Sequence, residues 1–211
     1  MTSATDAFDR EVRRDAGRPM FTMYDDASGE RVELSVATTA NWVAKTANFL
    51  IDEIGLDPGD ELSVLLPLHW QTAVVVLAAW SAGAEVRFTA GARIAVAMAE
   101  EPVAEETVVL TLAPMGTDLG RLVAAQPDQF APVGPSGPAV DDAVAAPGSR
   151  ILTTLGYDTS VGLRVGLLAA LSGASVVMVR NVSEAGLAER CAVERVTHTA
   201  GVTVAGLPRL G

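Results

Sequence analysis

The sequence predicts an α/β domain: a three-layer sandwich with a mostly parallel central sheet, helices on both faces and an N-terminal β-hairpin. Three observations lead there. Apolar runs of strand length alternate with segments of helical period in both halves of the chain, the grammar of strand–helix–strand units. Hydrophobic residues make up 49% and charged residues 19% of the 211 residues, which is the balance of a packed domain. Finally, "FTMYDD" and "RVELSV" flank Ala-Ser-Gly-Glu, two strands around a glycine-containing turn. Aromatics are only 5%, so the core is expected to be built from Ala, Val, Leu and Ile.

The elements follow in order. Residues 6–16 read as a short charged helix, and the hairpin comes next. Ser35 then caps a helix running to about Ile54. Its apolar positions Val36, Ala40, Val43, Ala47, Leu50 and Ile54 step by four and three, one buried stripe. Gly55 fits the helix end, and Asp57-Pro58-Gly59-Asp60 makes a turn. "ELSVLLP" is a continuous apolar strand of the kind covered on both faces. "WQTAVVVLAAWSAGA" is a helix stopping at Gly83, and "EVRFT" a strand, so 61–89 form a unit with parallel strands. "ARIAVAM" and "TVVLTLA" read as strands, and "DLGRLVAAQPDQF" as a helix ending near Pro127.

The grammar returns after a Pro/Gly-rich interval. "RILTTL" is a strand, "VGLRVGLLAALSG" a helix and "ASVVMVR" a strand. "VSEAGLAERCAVE" is a helix capped by Ser183, and "VTHTAG" a last strand. The chain is therefore read as a single domain, 1–211. Residues 1–129 form its N-terminal half, 130–149 a connector and 150–211 a second strand–helix–strand half.

Charge and composition narrow the function. A net charge of -11 repels nucleic-acid backbones and anionic lipid, so neither is an expected partner. The single cysteine, Cys191, permits neither an internal disulfide nor a multi-cysteine metal site, and it fits a reducing cytoplasm. It sits on a helix among Ala and Val and is expected to be buried and inert. The N-terminus "MTSATDAFDREVRRD" mixes charge signs without an apolar core, unlike a secretory signal. The apolar run "TAVVVLAAW" is too short to span a bilayer.

The stretch 57–86, "DPGDELSVLLPLHWQTAVVVLAAWSAGAEV", resembles the N-terminal part of the acyl-CoA synthetase and adenylate-forming superfamily. Gly55, Gly59, Asp60, Val64, Pro67, Ala82, Gly83 and Ala84 fall in order on that family's pattern. Upstream, "VELSVATTANWVAKTANFL" is similar to the family's helix entry, with Ser35 at its Thr position. Downstream, "ILTTLGYDTSVGLRVGLLAALSGASVVMV" is similar to its next block. The resemblance implies the fold of one subdomain of such an enzyme.

It also locates what is missing. The family carries a Ser/Thr/Gly-rich loop ending in lysine between these blocks, whose amides cradle phosphates. Here the interval is "FAPVGPSGPAVDDAVAAPGS". It has no Ser/Thr run and no lysine, and Pro132, Pro135, Pro138 and Pro147 lack the N–H an anion nest needs. Lys45 is the one lysine among fifteen basic residues and sits on the polar side of the first long helix, the position of a solvated charge. The expectation is a chain without ATP-dependent acyl activation, with no catalytic residue, cofactor or metal assigned, and a solvent-exposed connector where the phosphate loop would lie.

One element offers a ligand contact. "GYDTS" at 156–160 resembles the aromatic-Asp-x-Ser element of amino-acid-activating members, and Tyr157, Asp158 and Ser160 match it. The resemblance implies that Asp158 pairs with a substrate amine; the plain alternative is that Asp158 or Thr159 caps the next helix. His69 and His198 lack nearby carboxylate or cysteine clusters and read as structural. Three roles remain, in this order: a binding or interaction module whose exposed apolar surface is covered by a homodimer partner or another protein; a site for a nucleotide, acyl or amine ligand at the strand ends near Tyr157 and Asp158; and an enzyme of other chemistry, built from residues distant in sequence.

Overall fold

Strand β2 (Pro19–Asp25) begins on Pro19 and turns back through Gly29, at φ 74, into antiparallel β3 (Glu30–Ser35). This is the expected hairpin, and its place in the fold is decided far along the chain. The structure is a computed structural model and describes residues 2–98, 104, 106–109, 119–141 and 144–211. A short β1 (Thr2–Ser3) leads into α1 (Ala4–Arg14), where Ser3 accepts a bond from the Asp6 amide. After the hairpin, Ser35 caps α2 (Val36–Asp52) by accepting from the Thr38 amide. Next come β4 (Glu61–Leu65), α3 (Trp70–Ser81), β5 (Glu85–Arg87), β6 (Ile94–Ala97), β7 (Glu106–Val109) and α4 (Leu119–Val123). The remainder of the strand expected over 107–113 lies outside the described residues.

The second half opens with β8 (Ala139–Val140) and β9 (Arg150–Thr153). A helix follows in three parts: α5 (Ser160–Leu163), a π-helical stretch (Arg164–Leu168) and α6 (Ala169–Leu171). Then come β10 (Ser175–Arg180), a 3-10 turn (Glu184–Gly186), α7 (Leu187–Val193) and β11 (His198–Ala200). Ser183 does not cap with its side chain; its amide donates instead to the Asp26 carboxylate at 2.7 Å.

The strands form two main sheets where the sequence predicts one. The larger has the order β11-β9-β10-β2-β3, parallel except for the β3 edge. The smaller, β5-β4-β6-β7, is wholly parallel. A two-stranded ribbon pairs β1 with β8. The hairpin leaves its sequence neighbours because β2 pairs with β10, Phe21 opposite Val176. The expected three layers hold for the larger sheet. α7 covers its outer face through Leu187 and Cys191. Leu167, Leu168 and Leu171 cover the inner face within one core that also takes in α1, α2, α3 and the smaller sheet.

α3 is the centre of that core. Every residue from Trp70 to Ser81 is buried, so it carries no polar stripe. That is why "TAVVVLAAW" reads apolar throughout. No helix among the described residues is long and apolar enough to cross a membrane.

The Pro/Gly interval runs as a strap over this core. Thr5 holds it, accepting from the Ser136 amide at 2.9 Å, while the Val133 amide donates to Ser81 O at 3.0 Å. Gly137, at φ 76, lies so close to Trp80 that an added Cβ would come within 2.7 Å of its ring. Most of residues 130–141 are exposed or half-buried, and the amides of Val133 and Ser136 are bonded to Ser81 and Thr5; 142 and 143 lie outside the described residues.

Candidate functional site

Strand order creates a cleft without help from side chains. From β9 the chain runs over the inner face to its neighbour β10, and from β10 over the outer face, through α7, to β11 on the far side of β9. The connections after β9 and β10 therefore leave in opposite directions. In open parallel sheets such a reversal leaves a crevice at the carboxyl ends of the two strands, where ligands bind. A crevice of about 420 Å³ lies there, lined by Thr154 and Gly156 after β9, and by Val179, Arg180, Asn181 and Val182 around the end of β10. Pro67 and Leu68, ahead of α3, close it.

Polar order at its edge is tight. The Asp25 carboxylate accepts from Asn181 Nδ2 at 2.8 Å and from the Ala27 amide at 3.0 Å. The Asn181 bond is the main cause that holds the Asp25 carboxyl below its ordinary range. Asn181 adopts φ 49, the left-handed region that Asn tolerates better than most residues, and this turns the chain out of β10. Asp26 is held separately, by two bonds from Arg190 at 2.6 and 3.2 Å.

His69 stands one residue beyond Leu68 and is fully buried. Its Nδ1 accepts from the Gln71 amide at 3.1 Å and so caps α3. The neutral ring must then carry its proton on Nε2, and Nε2 has no partner among the described residues. Burial, and secondarily the charge of Arg180, pull its pKa down to about 3, against a smaller opposing pull from Asp25.

The residues singled out in the sequence separate in space. Tyr157 is buried, its ring against Gly166 and its hydroxyl donating to Met178 Sδ at 3.5 Å; burial pushes its pKa far up. It does not line the crevice. Asp158 is exposed, with its carboxylate against Gly156 at the crevice edge. Thr159, not Asp158, caps the next helix, accepting from the Gly162 amide at 2.9 Å. Ser160 is the exposed first residue of α5. Cys191 is buried, and burial raises its thiol. His198 Nδ1 pairs with the Thr197 hydroxyl at 2.9 Å, in β11.

Sequence reasoning passed over Thr154, Arg180 and Asn181. A signal was available: "SVVMVR" is a buried parallel strand that ends in a charge, and its carboxyl end is where such sheets bind ligands.

No protein-family profile matches the chain. Solved structures match its fold. The N-terminal domain of FACL13 from Mycobacterium tuberculosis superposes with a TM-score of 0.74 at 11% identity, over 95% of this chain and 63% of that one. NpsA-ThdA, an artificially fused adenylation-PCP di-domain NRPS from Klebsiella oxytoca, gives 0.73 at 14% identity, over 95% of this chain and 43% of that one. A Mycobacterium tuberculosis fatty acyl CoA synthetase gives 0.73 at 10% identity, over 94% and 49%. The chain thus has the fold of the N-terminal portion of acyl-CoA synthetases and adenylation domains, and spans 43% to 63% of the length of these three. A TIGR03089 family protein of Mycobacterium tuberculosis (strain ATCC 25618 / H37Rv) is far nearer in sequence, 37% identical over 229 aligned residues that cover 90% of this chain and 94% of that protein. On that likeness the chain belongs to the TIGR03089 family.

Proposed function

We propose that this chain is a small-molecule-binding module on the N-terminal fold of adenylate-forming enzymes, and that it does not itself activate acyl groups. The crevice between the ends of β9 and β10 carries the reading: it sits where parallel sheets bind ligands, and its lining combines apolar walls with a few polar groups. The exposure of Asp158 beside Gly156, which lines the crevice, supports a contact with an ammonium group of the ligand. The non-catalytic part draws on the strap. The amides of Val133 and Ser136 are taken by Ser81 and Thr5, and the prolines offer none, so this interval is built to hold α1 and α3 rather than a phosphate.

Thermal unfolding with ATP, AMP, coenzyme A and the amino acids tests this. A ligand at a hundred times its dissociation constant adds about 2.7 kcal/mol, which for a domain of this size raises Tm by about 5–11 °C. Amide signals of Thr154, Gly156 and Arg180 are expected to move with it. No stabilisation by any of these compounds, or a release of pyrophosphate from ATP with a carboxylic acid, would refute the reading.

A further inference from the structure

We infer that the crevice recognises the oxyanion of a small organic molecule, a carboxylate or a phosphate, through the guanidinium of Arg180. This rests on the reading of the crevice as a ligand site and adds the chemistry of its occupant. A guanidinium keeps its charge and presents five N–H donors in a planar fork. Largely buried arginines elsewhere in this chain use those donors on the protein. Arg18 reaches Glu11 and the carbonyls of Ala170 and Ala174; Arg150 reaches Glu194 and Thr22; Arg190 grips Asp26 twice.

Arg180 differs. Its side chain is 21% exposed, close to the 16% of Arg150 and Arg190. Yet its guanidinium makes no hydrogen bond among the described residues, and the nearest carboxylate oxygen, Asp25 Oδ2, is 3.7 Å away. Asp25 does not depend on it, since Asn181 and the Ala27 amide already serve Oδ1. Arg180, with those donors unused, is one of the residues that line the crevice. Thr154 lines the crevice too; its hydroxyl lies beside Gly201 without a hydrogen-bond partner among the described residues, so it is free to turn and supply a second donor.

The walls exclude a bare inorganic ion as the natural occupant. Pro67, Leu68, Val179 and Val182 are apolar, and a volume of about 420 Å³ has room for an organic body behind the charged group. Asp25 competes for the same guanidinium, so the anion binds in exchange for a loose ion pair and affinity stays moderate.

The test is titration of the intact chain with benzoate, phenyl phosphate and benzamide, followed by NMR on the Arg180 Nε–H and the Thr154 and Gly156 amides. Both anions are expected to move these signals saturably, with benzamide at least about tenfold weaker, the ratio expected from loss of a charge-assisted bond. The tighter of the two anions identifies the source of the oxyanion. Arg180→Gln is expected to weaken both anions at least about tenfold and leave benzamide unchanged. Should that variant unfold, Arg180→Lys, which keeps charge without the fork, and Thr154→Val are each expected to weaken the anions by about threefold or more. Equal binding of benzamide and benzoate, or undiminished anion binding by the folded variants, overturns the oxyanion while the crevice stands. Silence of the crevice signals with all three compounds overturns the oxyanion, and silence with ATP, AMP, coenzyme A and the amino acids as well overturns the crevice.

Discussion

Acidification should remove a stability that His69 contributes only while it is neutral. The ring is fully buried, caps α3 through Nδ1, and has its pKa drawn down to about 3 in the fold. In the unfolded chain it returns to about 6.5. Between these values only the unfolded chain takes up the proton, so the contribution is complete above pH 6.5 and drains away as pH falls towards 3. At about 1.36 kcal/mol per pH unit, the loss between pH 7 and 4.5 is about 2.5 kcal/mol. The charges that act on the ring are Arg180, which further disfavours its protonation, and Asp25, which opposes that. The assay is urea unfolding, read by circular dichroism at pH 7, 5.5 and 4.5, of the wild type and of His69→Asn. Asparagine can accept the Gln71 bond but cannot titrate. The variant starts less stable, and the gap to wild type should shrink by about 2.5 kcal/mol over this range. Acid-side losses from carboxylates such as Asp25 are common to both proteins and cancel. A gap that stays constant with pH would refute a buried neutral His69.

The strap makes a steric prediction. Gly137→Ala meets both a left-handed backbone, φ 76, and the ring of Trp80, so it should cost about 2–5 kcal/mol, whereas Gly148→Ala, at φ 84 with nothing within 4 Å, should cost only about 1–2 kcal/mol. Equal urea midpoints for the two would show that the strap is not seated on Trp80. The expectation of a homodimer predicts a contact on the outer surface of α7, where Val193 is 71% exposed near grooves lined by Ala188, Ala192, Val204 and Leu207. Light scattering should then give twice 21.8 kDa, and Val193→Asp should halve it; a wild-type mass of 21.8 kDa refutes the dimer.

Local signals were legible and distant pairings were not. The Ser35 cap, the hairpin turn at Gly29 and the long apolar run of α3 are written in residues a few positions apart, and the structure has each of them. The division into two sheets is not written locally, because it depends on β2 choosing β10, Phe21 opposite Val176, 155 positions along the chain, when nothing in "FTMYDD" distinguishes that partner from β4. Tyr157 shows a similar limit. Its motif fixes its place in the chain, but whether it turns outward depends on the room left by Gly166, which lies within the π-helical stretch that follows. Thr159 took the cap for which Asp158 was the other candidate, and this left the Asp158 carboxylate outside the helix end. Arg180 was overlooked because a charge closing an apolar run reads first as a strand boundary.

The cleft itself is a consequence of connectivity. Two neighbouring strands whose exits diverge leave a gap whatever side chains surround it. Substitution can therefore exchange every lining residue, one at a time, without closing the gap, so the chemistry of the lining can change while the backbone that frames it does not. Chains only 10% to 14% identical to this one have kept the same fold. In this fold the gap belongs to the connectivity, and the side chains around it decide only what enters.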